Sequence, residues 1–362
     1  MKGGDLLATG SSSCIFRPSI PCRGSKKFNK DSISKIVHGS KADKYFQKEK
    51  QMAILLKNIK GYKKWCIIYD NFCQPPKYVN IFKYDKTILD CKSDSYEDIF
   101  DETSKMMIGK YGGITFEDYF ISIFPFGIKH KQFEINIYKL LVKMKQLFIG
   151  LNEIYHNKLI HLDIKYNNIV LDGSQFKYID FGLSSELSDI EHFKNRGLSE
   201  FNNNRLYLWY PSEYIYSNID NEQQYLDLLK FNGGKDRKHF NEAIDIHTYF
   251  NRSLNSQVKQ LLTKDNYTTD EDYKELISMI DIYSLGIMIP FLFHEYDLIK
   301  HVSKSKFLTQ LFEMFKKMCE LNYKDRIKPS ECLKEYNSLI KQFSHLVNKK
   351  KGKTKRLKKN LI

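Results

Sequence analysis

The sequence has little that would tie it to a membrane or to a structural metal. Its longest purely apolar runs, such as "IMIPFLF" at residues 287–293, fall far short of the roughly 20 residues an apolar helix needs to cross a bilayer, so no membrane association is expected. No secretory leader pattern opens the chain, and Lys2 follows Met1 where N-myristoylation would need a glycine. The seven cysteines include no CxxC pair and no zinc-like spacing. Free thiols in a reducing compartment, and hence a cytoplasmic protein, are the expectation. Acidic side chains are in the minority: 43 Asp and Glu against 58 Lys and Arg leave a net charge of +15. Such a chain attracts nucleic acid, anionic surfaces or acidic proteins, and charge alone does not choose among them. No internal repeat is visible, which argues against a solenoid.

What is present is enough apolar material for a real core. Hydrophobic residues make up 42% and aromatics 14% of 362 residues, compatible with one large domain or two lobes. Residues 5–40 alternate short β-like runs with small polar turns, predicting a hairpin and a third strand. Residues 43–60 carry apolar side chains at helical spacing and predict an amphipathic helix. Residues 83–103 are polar and locally acidic and read as a loop. "MMIGKYGG" (106–113) reads as a strand ended by glycines, residues 133–157 as one long helix, and "NIVLD" with "FKYID" as a hairpin. From about residue 276 the pattern is helical. The tail, "NKKKGKTKRLKKNLI", lacks apolar periodicity and is expected to be disordered. Strand-rich residues first and helix-rich residues later predict two lobes.

The densest polar chemistry is "HLDIKYNN" at 161–168, set between apolar positions; "DFG" follows at 180–182, with the predicted hairpin between them. In this order the motifs resemble the catalytic core of eukaryotic-type protein kinases. The resemblance implies phosphoryl transfer, which needs a carboxylate to orient the attacking hydroxyl, oxygen ligands for Mg²⁺, and cations to spread phosphate charge. Asp163 fits the first role, Asn168 and Asp180 the second, and Lys165 the third. The resemblance extends over roughly residues 5–345. It implies a bilobal α+β fold, ATP and Mg²⁺ as cofactors, and protein substrates. Within it, "LATGSSSCI" (7–15) lines up with the glycine-rich phosphate loop, making Leu7, Ala8, Gly10, Ser11, Ser12, Ser13 and Ile15 nucleotide-binding candidates; only Gly10 remains of the three usual glycines. Lys35 in "ISKIV" resembles the strand lysine that grips the α- and β-phosphates, with Glu49 as its ion-pair partner. "GKYGG" resembles the inter-lobe hinge, placing adenine contacts around Lys110, Tyr111 and Gly112. "YPSE" (210–213), Asp281 in "DIYSLG" and Arg326 in "NYKDRI" take bracing roles, with Arg326 the expected buried partner of Glu213.

The resemblance divides the chain into an N-lobe (1–108), a hinge (109–113), a C-lobe (114–345) with an insertion at about 214–280, and a basic tail (346–362). Lys165, two positions after the base, resembles serine/threonine rather than tyrosine kinases. Leu162 stands where the family has an arginine that anchors a phosphorylated activation loop, and residues 180–213 contain no threonine, including the one that usually supports the catalytic base. An active state independent of activation-loop phosphorylation is therefore expected. Abundant Lys, Asn, Ile and Tyr, the altered phosphate loop and the YPSE ending resemble protein kinases of large DNA viruses, implying host cytoplasm or virion. A monomer is expected, with the tail as a non-specific anchor for nucleic acid or an acidic partner. Two rival readings are a pseudokinase scaffold and a small-molecule phosphotransferase of the same superfamily.

Overall fold

A computed structural model describes residues 4–10, 13–25, 29–40, 42–77, 90–91, 102–125, 127–202, 208–216, 235–253, 256 and 269–348. The chain divides into two compact units. The first comprises Met1–Ile114 with Val170–Gly173 and Lys177–Ser184; the second comprises Thr115–Ile169, Ser174–Phe176 and Ser185–Ile362. The architecture is α+β: a five-stranded sheet in the first unit, helices dominating the second.

The first unit is built on β1 (Asp5–Thr9), β2 (Ser13–Arg17), β3 (Ser32–Val37), β4 (Tyr69–Cys73) and β5 (Lys105–Lys110), in the antiparallel order β1-β2-β3-β5-β4. Side chains alternate between faces with period 2, so neighbours on β5 serve different cores. Met106 packs with Cys14, Phe16, Ile20 and Ile36 on one face. Met107 packs with Val37, Ala42 and Phe46 on the other. That second face is covered by α1 (Ala42–Lys57), whose buried stripe is Ala42, Phe46, Glu49, Met52, Ala53 and Leu56. A stripe at that spacing is what a helix needs to lie on a sheet, with Asp43 in its first turn and Lys57 in its last matching the helix dipole. β4 and the single turn Tyr62–Lys64 are short elements the periodicity did not reveal.

The cysteines depart from the free-thiol expectation. Cys14 pairs with Cys91 and Cys22 with Cys73, leaving Cys66, Cys319 and Cys332 as buried thiols. Sequence separations of 77 and 51 residues hide these pairs from any spacing rule; the folding of the first unit brings them together. Most of the polar segment 83–103 and the tail from residue 349 lie outside the described residues.

In the second unit, α2 (Phe116–Ser122) starts at Thr115, whose hydroxyl accepts from the Asp118 N–H at 3.1 Å. The long helix expected over 133–157 is two: α3 (His130–Lys143) and α4 (Lys145–His156), separated at Met144. Two short strand pairs follow along the chain: β6 (Leu159–Ile160) with β9 (Ser185–Glu186) in this unit, and β7 (Ile169–Asp172) with β8 (Gln175–Tyr178), whose residues 170–172 and 177–178 belong to the first unit. Then come α5 (Ile190–Asn202), α6 (Ser212–Tyr216), α7 (Lys235–Tyr249), α8 (Asp270–Ser278), α9 (Ile280–Glu295), α10 (Lys306–Met318), α11 (Pro329–Gln342) and the turn-length α12 (His345–Asn348).

The helical stretch Asp270–Glu295, interrupted by the turn at Met279, is by length and composition apolar enough to cross a membrane, although no unbroken apolar run in the sequence signals it. Yet 94% of its apolar window is buried inside the protein, the behaviour of a core helix. Around it, described residues of the segment expected to be an insertion are built into the core. Ile246, His247 and Phe250 are buried. Arg252 donates to the carbonyls of Lys316 and Cys319 at 3.0 and 3.1 Å.

Candidate active site

Each unit carries one set of candidate side chains. In the first, β3 places Lys35 opposite Ile15 on β2 and Met107 on β5, on the face covered by α1. Its ammonium lies 3.2 Å from Glu49 Oε1 and 2.7 Å from Asp180 Oδ1. Burial pushes the Lys35 ammonium down, but the Asp180 and Glu49 carboxylates outweigh it and hold it well above its ordinary value. The lysine is therefore a permanent cation in an enclosed place. Burial pushes the Glu49 carboxyl up, to about 8, with Lys35 pulling the other way and Asp180 adding to the rise. Asp180 itself sits in the left-handed region, at φ 60°.

The phosphate-loop candidates lie at the β1–β2 turn. Thr9 pairs with Cys14, and the Gly10 N–H donates to the Ser13 carbonyl at 2.7 Å, closing the turn. Ala8 and Gly10 are exposed, Leu7 is half exposed, and Ser13 and Ile15 are intermediate. Ser11 and Ser12 lie outside the described residues.

At the hinge candidates, Lys110 reaches both carboxylate oxygens of Asp172, at 2.6 and 2.7 Å, and Lys177 reaches Oδ2 at 2.7 Å. Burial pushes the Asp172 carboxyl up, but hydrogen bonds from the two lysines prevail and hold it below the usual range. The Tyr111 N–H is spent on the Asp31 carbonyl at 2.9 Å, and the Arg17 guanidinium covers its ring at 3.5 Å. Glycine is required next to it: at Gly112 an added Cβ would come within 2.4 Å of the Val170 side chain. At Gly113, with φ 94°, it would meet the Leu171 carbonyl at 2.3 Å. Asp172 is a residue sequence reasoning missed; it reads as an ordinary hairpin acid.

The second set stands on the loop between β6 and β7. Asp281, in the first turn of α9, accepts from the backbone N–H groups of His161 and Leu162 at 2.7 and 2.9 Å. Burial pushes its carboxyl up, opposed by His161 and by those two N–H groups. The loop thus fixed presents Asp163, 8% exposed. Lys165 Nζ lies 3.1 Å from Asp163 Oδ1 and 3.0 Å from Oδ2. The Asn168 amide nitrogen donates to the Asp163 carbonyl at 2.9 Å and to Oδ2 at 2.7 Å. An amide whose N–H₂ is directed this way has its carbonyl oxygen as the atom suited to a hard cation. In the first unit, Asp180 offers a carboxylate oxygen of the same hard type, so each of these two side chains by itself has the donor chemistry that Mg²⁺ prefers. Among the described residues, a separate group with metal-ligand chemistry is Cys14, His38 and Cys91. Its two sulfurs are spent in the disulfide.

The bracing residues meet as the motifs imply. Arg326 pairs with Glu213, both fully buried; Arg326 also donates to the Met279 and Glu320 carbonyls, and Glu213 accepts from the Tyr323 N–H at 3.0 Å. Burial pushes the Glu213 carboxyl up to about 7 against the opposing pull of Arg326.

Residues 97–225 match the family model of the protein kinase domain. That stretch contains the β5 strand, the Asp163 loop, the DFG motif and YPSE. Over 73 residues the chain is 33% identical to the CTD kinase subunit alpha of Saccharomyces cerevisiae, covering 20% of this chain and 12% of that protein. The chain therefore spans a small part of the relative it matches. Both matches make the protein kinase superfamily what this stretch of the chain is similar to.

Proposed function

We propose that this chain is a catalytically competent serine/threonine protein kinase that transfers the γ-phosphate of ATP, with Mg²⁺, to protein hydroxyls. The observation that carries the reading is the convergence of Lys165 and Asn168 on the Asp163 carboxylate. A carboxylate held from two sides keeps one orientation, and that is what a group accepting a hydroxyl hydrogen needs. Lys165 offers a positive charge beside it to offset charge on the transferring phosphoryl group. Its position, two residues after Asp163, supports serine/threonine acceptors. Asn168 and Asp180 would hold the magnesium, which, when bound, neutralises phosphate oxygens. Lys35 is kept charged by Glu49 and Asp180 and is suited to the α- and β-phosphates. The β1–β2 turn would cover the phosphates with backbone N–H groups. Composition and the thinned phosphate loop support a place among kinases of large DNA viruses.

The test is transfer of label from γ-labelled ATP to a mixture of protein substrates, followed by identification of the labelled amino acids. Label should appear on serine and threonine and vanish with a magnesium chelator. Asp163→Asn should lower kcat by about 10²–10⁴-fold, the usual scale for a general base. Nucleotide binding with no transfer to any acceptor would instead make the chain a scaffold, and transfer confined to small alcohols or sugars would make it a small-molecule phosphotransferase.

A further inference from the structure

The loop that presents Asp163 contains a strained residue. Leu162 has φ 59°, a left-handed conformation that a bulky side chain rarely adopts. Something must hold it there. Upstream of the strained bond, Asp281 takes the N–H groups of His161 and Leu162. Downstream, the peptide linking Leu162 to Asp163 is held at both polar atoms. Its N–H, belonging to Asp163, donates to His161 Nδ1 at 3.3 Å. Its carbonyl, belonging to Leu162, accepts the Tyr210 hydroxyl at 2.8 Å. Rotation of that peptide plane would turn the Asp163 side chain directly, because it is the plane on which Asp163 begins.

Tyr210 is in turn fixed by the same helix that fixes the loop. Ser284 donates to the carbonyl of Trp209, the residue before Tyr210, at 2.6 Å. Ser284 lies three residues after Asp281, hence on the same side of α9. One helical turn thus sets both the loop and the tyrosine that closes on it. The Tyr210 ring is 3% exposed and packs edge-on against Tyr214, with ring centres 5.2 Å apart. The bond reaches the backbone of residue 162, so it needs no arginine at that position and no phosphate on residues 180–213.

We infer that Tyr210 is a positioning residue for catalysis: its hydroxyl locks the Leu162–Asp163 peptide and so sets the direction of the Asp163 carboxylate. The inference rests on the kinase reading above. Tyr210→Phe removes one oxygen from the protein. It should lower kcat for protein phosphorylation by about tenfold, which corresponds to one hydrogen bond of ordinary net strength. The KM for ATP should stay within about twofold, because the bond removed is to the Leu162 carbonyl beside the catalytic-base candidate. Tyr214→Phe is the control. Its hydroxyl, in the same ring cluster, donates to the Phe193 carbonyl at 2.8 Å rather than to the Leu162 carbonyl. That variant should lose thermal stability to a similar degree and keep kcat. Thermal unfolding of both variants shows that they are folded at the assay temperature. A wild-type kcat in Tyr210→Phe, or equal kcat losses in both variants, would overturn the inference and leave the kinase reading in place. Failure of the wild-type protein to phosphorylate any acceptor would overturn the kinase reading, and this inference with it.

Discussion

His247 is a titratable residue set in the core of the helical unit. Its Nε2 lies 3.1 Å from the Tyr283 hydroxyl, its Nδ1 has no hydrogen-bond partner among the described residues, and its side chain is fully buried. Burial drives its pKa down to about 3, and the positive charges of Arg252 and Arg326 push the same way. In the unfolded chain the imidazole takes a proton near pH 6.5. In the folded chain it stays neutral until about pH 3. The unfolded state therefore binds the extra proton, and stability falls as pH drops from 6.5 toward 3, by about 1.4 kcal/mol per unit from this residue. His247→Gln has no such group. Between pH 7 and pH 5 the wild-type protein should lose about 2 kcal/mol more stability than the variant, read by urea unfolding. A constant gap between the two would mean that the imidazole does not change its protonation on unfolding.

Single strands are where the cysteines matter. β2 carries Cys14, whose partner Cys91 lies outside the sheet, and Cys22 follows that strand while Cys73 ends β4. The two bonds tie segments of the sheet that only long chain excursions connect. A cross-link over such a loop stabilises by about 2–4 kcal/mol, chiefly by restricting the unfolded chain. A thiol reagent in urea without reductant should count three thiols, those of Cys66, Cys319 and Cys332, and seven after reduction. Reduction should also lower the unfolding midpoint. Seven reactive thiols before reduction would restore the free-thiol expectation. The glycines after β5 belong to the same scale. The "GKYGG" motif is legible in the sequence as a break. Only the packed structure shows that the room at Gly112 and Gly113 is taken by Val170 and Leu171.

At the scale of the whole molecule, the charge of +15 is unevenly distributed along the chain. Residues 349–359, "KKKGKTKRLKK", hold eight cationic side chains, beyond the last described residue, Asn348. A polybasic segment binds phosphate-rich polymers by releasing counterions, so its grip weakens steeply with salt. A form ending at Asn348 should elute from heparin at markedly lower salt than the full chain while phosphorylating a free peptide at the same rate. Co-elution of the two forms would place the attracting charge on the rest of the protein.

The sequence by itself determined the chemistry of the candidate site and the order of its elements. Polar motifs such as "HLDIKYNN" and DFG announce themselves because so many charged and amide groups between apolar runs are costly without a task. Strands β1 to β3 and helix α1 were legible because a period of 2 or 3.6 is a local property. The tertiary structure decided what depends on contacts between distant residues. It paired Cys14 with Cys91 and Cys22 with Cys73, and it set Lys110 on Asp172. It buried the apolar stretch Asp270–Glu295 and set His247 against Tyr283 within it. It also closed Tyr210 onto the Leu162 carbonyl. None of these has a spacing signature, because each joins residues through space, and a hydrogen bond to a backbone carbonyl leaves no trace in the identity of the accepting residue.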